Sequence, residues 1–200
     1  MSLITFPTIL LSPTSVEWVL KSNTQSFTSP LTGATQTLSL PGDKWAFTFI
    51  YDFVSRTDAD TVAVFMTKLR GMGNRFKTGN PARSTLLGAG GGTPLVKGAS
   101  QTGASLLTDG WPLSTAILKA GDYFEVNSEY KLVAADVTSD GSGNATITFE
   151  PPLRASPADN APITLSGAGA TFMLANKDQS LRYNNYYSRS FTLEGIETFS

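Results

Sequence analysis

The chain has 200 residues, 40% of them hydrophobic and only 16% charged, and its 15 basic and 16 acidic residues leave a formal charge of −1. That length suits one large domain or two small ones, and near-neutrality argues against nucleic acid or a membrane surface as a partner, because both are steered by a strong field. With no cysteine and no histidine, disulfides, thiolate nucleophiles, the common zinc and non-haem iron sites, and Ser-His-Asp or Cys-His catalysis are excluded.

No run of about 20 apolar residues offers a transmembrane helix. The opening MSLITFPTILLSPTS lacks the basic n-region of a secretory signal. Residues 16–20, VEWVL, read as a strand, followed by a polar stretch, KSNTQSFTSPLTGATQTLSLPGDK. In it Phe27, Leu31, Leu38 and Leu40 still alternate, and Pro30 and Gly33 punctuate a turn, the pattern of a long protruding hairpin. KWAFTFIYDF, 44–53, then places Trp45, Phe47, Phe49, Tyr51 and Phe53 on one strand face.

A helix follows, with Thr57 as expected N-cap and Asp58 and Asp60 at its positive end. Val62, Phe65, Met66 and Leu69 form its apolar stripe, and Lys68, Arg70 and Gly71 or Gly73 mark its end. Residues 1–82 therefore read as an α+β unit. Residues 83–110 are a flexible connector or short strands around Leu95–Val96 and Leu106–Leu107. In 111–189, strands are expected near 115–118, 122–126, 130–138, 145–150, 162–165 and 171–175, punctuated by turns as in a small barrel or sandwich. Residues 190–200 form a last strand with Phe191 and Leu193 and then, across Gly195, Ile196 and Phe199, placed to return to the first sheet. The fold class is α+β, mainly β: an N-terminal sheet with one packed helix and a long hairpin, followed by a small β-barrel or β-sandwich domain.

Four groups of residues invite a functional reading. Asp136, Asp140, Gly141, Asn144 and Glu150 resemble a calcium loop, but an EF-hand aligned on Asp136 puts Ile147 where the bidentate Glu belongs. A hairpin between VAADVT and ATITFE, with positive φ at Asp140-Gly141 and Gly143-Asn144, is the better reading. Gly88 to Gly92, GAGGG, lacks both a P-loop ending and a following helix start, and reads as flexible connection. Asp122, Glu125, Glu129 and Asp136 are the candidates for an acid/base pair, which glycoside hydrolysis needs roughly 5–9 Å apart. Nothing in the sequence marks them as desolvated, and they read as solvated strand and turn residues. Trp111, Tyr183, Tyr186 and Tyr187 suit either a sugar-stacking platform or a protein interface. No catalytic, cofactor-binding or metal residue is assigned.

Three motifs carry a resemblance: Gly121-Asp122-Tyr123, Asp140-Gly141-Ser142-Gly143 and Pro151-Pro152-Leu153-Arg154, all within 111–165. This run is similar to a segment of tailed-bacteriophage tail proteins, and KWAFTFIYDFVSRTDADTVAVFMTKLRG, 44–71, resembles their amino-terminal half. The likeness is greatest to the distal tail protein family. It implies a tail-tip or baseplate structural protein of the virion, with an α+β domain assembling into a hexameric ring and a peripheral β domain. The implied partners are copies of itself, the tail tube protein and the hub proteins. No catalytic residue attaches to these motifs, so the resemblance implies no enzyme and no cofactor. A carbohydrate-binding module is the alternative, and a carboxylate hydrolase ranks third.

Overall fold

A computed structural model describes residues 1–52, 55–177, 182–183 and 189–199. The first half of the chain contributes β1 (Leu3–Ile4), β2 (Ser15–Lys21), β3 (Thr24–Thr28), β4 (Thr35–Ser39), β5 (Lys44–Tyr51), α1 (Arg56–Leu69), β6 (Arg75–Thr78) and β7 (Leu95–Val96). Next come β8 (Ser105–Asp109), β9 (Ala116–Leu118), β10 (Tyr123–Val126), β11 (Glu129–Val133), β12 (Val137–Thr138) and β13 (Ala145–Glu150). The last are β14 (Ile163–Thr164), β15 (Ala170–Leu174), β16 (Arg182–Tyr183) and β17 (Arg189–Glu197). The protein is mainly β with one helix among the described residues, as expected from the sequence.

The first sheet runs β1-β6-β15-β17-β5-β2, with β16 on β17. Strand β5 organises it. Its register sets Trp45, Phe47 and Phe49 opposite Leu20, Trp18 and Val16 on β2, and Phe49 and Tyr51 opposite Leu193 and Phe191 on β17. The aromatic face so formed is covered by Val62, Phe65, Met66 and Leu69 of α1, the stripe expected from the sequence. Phe49, Phe76 and Phe172 are fully buried at its centre.

Both ends of α1 differ in detail from expectation. The N-cap is Ser55, not Thr57: the Asp58 N–H donates to Ser55 Oγ at 3.2 Å, and that hydroxyl donates to Asp58 Oδ2 at 2.6 Å. Asp58 stands in the usual Glu position of a capping box, but its carboxylate takes the Ser55 hydroxyl where the full box takes the N-cap N–H. The helix ends on Arg70, which takes the left-handed conformation at φ 50° itself before Gly71.

The second sheet runs β14-β10-β11-β13-β8-β7 and is wholly antiparallel. Its ends nearly meet. Leu95 of β7 bridges Pro162 beside β14, and the Ile163 N–H donates to Pro94 O at 3.0 Å, curling the sheet into a barrel around Phe124, Ile147, Phe149 and Leu106. Of the two readings of residues 83–110, flexible connector or short strands, the strands are present at the expected places: β7 and β8 belong to the barrel sheet. Residues 170–174, grouped with the second unit from the sequence, pair instead with β6 and β17 in the first sheet. Strand β17 returns to that sheet as well, and the chain crosses between the sheets at residues 78–80 and 165–169.

The turn at 138–145 also departs from a simple hairpin. Strand β12 pairs with β9, while β13 pairs with β11 and β8. Only Gly143 carries a positive φ, at 77°. Asp140 shapes the turn with its side chain, Oδ1 accepting from the Ser142 and Asn144 N–H groups at 2.8 Å each.

Candidate functional site

Two regions concentrate groups whose placement is not explained by core packing alone: the arm formed by β3 and β4, and the junction between the sheets. The arm leaves the sheet at its edge strand β2 and pairs only with itself, Thr24↔Ser39 through Thr28↔Thr35. All ten of its strand residues are exposed. Phe27, Leu31 and Leu38 are 69%, 95% and 58% exposed, and no charged residue occurs between 22 and 42. An exposed two-stranded ribbon is at best marginally stable in water. Exposed edges are ordinarily guarded by Lys, Glu or Pro against pairing with another chain. Pro30 at the turn and Pro41 at the base are the arm's only such residues.

At the junction, side chains expected to be solvated are buried. Asp122 is 2%, Glu125 9% and Glu129 3% exposed. Each carboxylate is fully engaged. Asp122 accepts from the Leu87, Gly88 and Lys119 N–H groups at 2.6, 3.1 and 2.8 Å, which ties the GAGGG segment to the barrel. Glu125 accepts from Lys77 Nζ at 2.7 Å and from the Gly169 N–H at 3.1 Å. Glu129 accepts from Lys131 Nζ at 2.6 Å and from the Arg154 and Ala155 N–H groups at 3.1 and 3.2 Å. Asp136, which is exposed, accepts from the Ala120 N–H at 2.9 Å.

A fourth buried carboxylate escaped notice in the sequence. Glu197 of β17 is 1% exposed; it accepts from the Trp45 N–H at 2.9 Å and from Arg154 Nη1 at 2.8 Å. Its signal was present: Phe191, Leu193, Gly195 and Glu197 continue one period-2 face, so the face does not switch at Gly195. Arg154 reaches from the barrel to Glu197 in the first sheet, and its guanidinium lies 4.1 Å from the Phe199 ring centre. Lys131 is fully buried, and burial pushes its ammonium below the usual lysine range, with Glu129 opposing that shift.

Tyr130 plugs the barrel into the first core. It packs among Trp18, Trp45 and Tyr123, its carbonyl accepts from Trp45 Nε1 at 2.9 Å, and its hydroxyl accepts from the Asn80 N–H at 3.1 Å. Burial raises its phenol above the usual range, as it does for Tyr51, whose hydroxyl donates to Leu10 O at 2.6 Å.

Of the aromatic platform, Trp111 is 4% exposed and donates from Nε1 to Thr108 Oγ1 at 2.7 Å, so it is a barrel-core residue and not a stacking surface. Tyr186 and Tyr187, and the side chain of Tyr183, lie outside the described residues. Asp136, Asp140 and Asn144 line one surface depression, which Glu150 does not join. Among the described residues no group of three or more acidic side chains is placed to hold a metal ion. The Asp140 carboxyl is held below its ordinary range by hydrogen bonds from Asn144 and Ser142. Among the described residues no helix is long and apolar enough to cross a membrane. No family model matches the chain, and no curated protein matches it either.

Proposed function

We propose that this protein is a structural component of a bacteriophage tail tip or baseplate. In this reading it acts in the virion, where copies assemble into a ring, six-membered as in the proteins it resembles, that joins the tail tube to the hub and host-recognition apparatus. The observation that carries the reading is the arm. Residues 24–39 extend from the edge of the sheet, bare of charge, with Phe27, Leu31 and Leu38 exposed. Such an element gains by pairing with a neighbour's strand edge, and burying each large apolar side chain adds about 1.5–3 kcal/mol. An arm on one side of a subunit that meets a different surface on the next is a head-to-tail interface, and such an interface makes a ring when its rotation closes. The resemblance over 44–71 and 111–165 supports the tail-tip assignment. The buried carboxylates are consistent with it, since each already serves as an acceptor within the fold.

Light scattering on the eluting protein tests this. The expected result is a discrete mass that is a multiple of 21.3 kDa, collapsing to the single chain when Phe27, Leu31 and Leu38 are all changed to serine. Identical masses for parent and triple variant would remove the arm from assembly.

A further inference from the structure

The seam between sheet and barrel holds a cleft of about 440 Å³, within the roughly 300–1,000 Å³ of ligand pockets, which favour domain boundaries. Its apolar wall comes from Leu3, Phe6, Leu86 and Leu165, and its polar groups are those of Asn80, Arg83, Tyr123, Tyr130 and Lys77. No Asp or Glu lines it. Two cations therefore face the cleft, but they are not equivalent. Lys77 is neutralised by Glu125 at 2.7 Å, whereas Arg83 is exposed and, among the described residues, forms no ion pair. Arg83 and Tyr123 line the same cleft, and while burial raises the Tyr123 phenol, the Asn80 side chain and the Arg83 charge both oppose that shift.

The cleft lies where the chain passes between the two sheets. Residues 78–80 and 167–168 both line it, and the two passages are pressed together. A Cβ on Gly79 would come within 2.4 Å of Ala168 O, and one on Gly169 within 2.6 Å of Thr78 O. Both passages therefore form part of the cleft wall.

We infer that this cleft is a binding site for an apolar carboxylate, whose hydrocarbon part lies against Leu86, Leu165 and Phe6 and whose anion meets Arg83 beside the Tyr123 hydroxyl. The same chemistry is offered by a free small organic acid and by the carboxy-terminal residue of a partner protein when that residue is apolar. Occupancy braces the sheet against the barrel. The inference is independent of ring assembly.

Calorimetric titration of the full chain with sodium octanoate, octylamine, acetyl-Gly-Leu-Leu and the amide of that tripeptide tests it. The expected result is saturable binding of octanoate, of the free-acid tripeptide, or of both, with octylamine and the tripeptide amide at least about tenfold weaker. Arg83→Gln weakens the anion about tenfold, and Arg83→Lys, which keeps the charge at the exposed position, stays within about threefold. Tighter binding of the tripeptide assigns the ligand to a partner's chain end, and tighter binding of octanoate to a free acid. Absence of binding by both anions overturns the inference. So does equal binding of octylamine, or an unchanged affinity in Arg83→Gln with the fold intact by circular dichroism.

Discussion

The junction and the arm treat polar and apolar groups in opposite ways. At the junction, Glu129, Lys131, Arg154 and Glu197 are drawn out of water and matched to one another and to backbone N–H groups. In the arm, which has no charge to satisfy, the large side chains Phe27, Leu31 and Leu38 stay in solvent. Charged groups are costly to bury unless completely paired, and apolar groups cost little to leave exposed one at a time. This buried charge network is therefore complete within one chain and gains nothing from a partner. The arm is incomplete and gains from one.

The sharpest way to break this contrast is at Glu129. Changing Glu129→Leu leaves the fully buried Lys131 ammonium without its carboxylate, and the expected loss is about 3–5 kcal/mol in denaturant unfolding. The loss should shrink in alkali. Burial lowers the lysine's folded pKa and Glu129 opposes that shift, so the variant's pKa falls further below the ordinary value than the parent's. Between the two folded values the variant's unfolded chain binds more protons, and its stability rises with pH relative to the parent's.

The intact protein should behave in the reverse sense above pH 10. The Tyr51 and Tyr130 phenols, raised by burial, keep their protons in the fold when the unfolded chain has released them. The unfolded state then binds fewer protons, and stability falls by about 1.4 kcal/mol per pH unit for each phenol. Thermal unfolding monitored between pH 9 and 12 checks the sign, and stability that holds level through this range would contradict the burial of both hydroxyls.

Gly79→Ala probes the seam with a smaller change. The added methyl meets the Ala168 carbonyl and the Tyr130 hydroxyl, and about 1–3 kcal/mol should be lost. In the arm, serine at positions 27, 31 and 38 should move monomer stability by less than about 0.5 kcal/mol per site. A large loss there would mean the arm packs within its own chain.

The features legible in the sequence were those set by local pattern. The period-2 face of Trp45, Phe47, Phe49 and Tyr51 and the stripe of Val62, Phe65, Met66 and Leu69 were both found where the pattern placed them. The hairpin at 24–39 was equally plain, because its strands are neighbours. What escaped depends on distant partners. Strand β15 belongs to the first sheet because Phe172 sits opposite Phe76 and Glu197, and no local signal marks that pairing. Glu125 and Lys131, each set among apolar residues in YFEV and EYKLV, hinted at burial. Glu129 lies two residues from Lys131 on the same face of β11, so that pairing is local, whereas Lys77 and the Gly169 amide meet Glu125 only when the barrel folds onto the sheet. The N-cap is a subtler case: Ser55 with Asp58 and Thr57 with Asp60 have the same spacing, so local pattern does not choose between them, and the structure selects Ser55.

Since the chain has no cysteine, Leu31→Cys gives one unique handle at the tip of the arm. The most direct measurement labels it with a photoreactive benzophenone and maps the cross-link at assembling concentrations. The expected product joins residue 31 of one copy to a surface outside the arm on a second copy, and competes away with unlabelled protein. Adducts confined to the labelled chain itself, with none between copies, would contradict the assignment of the arm as the assembly element.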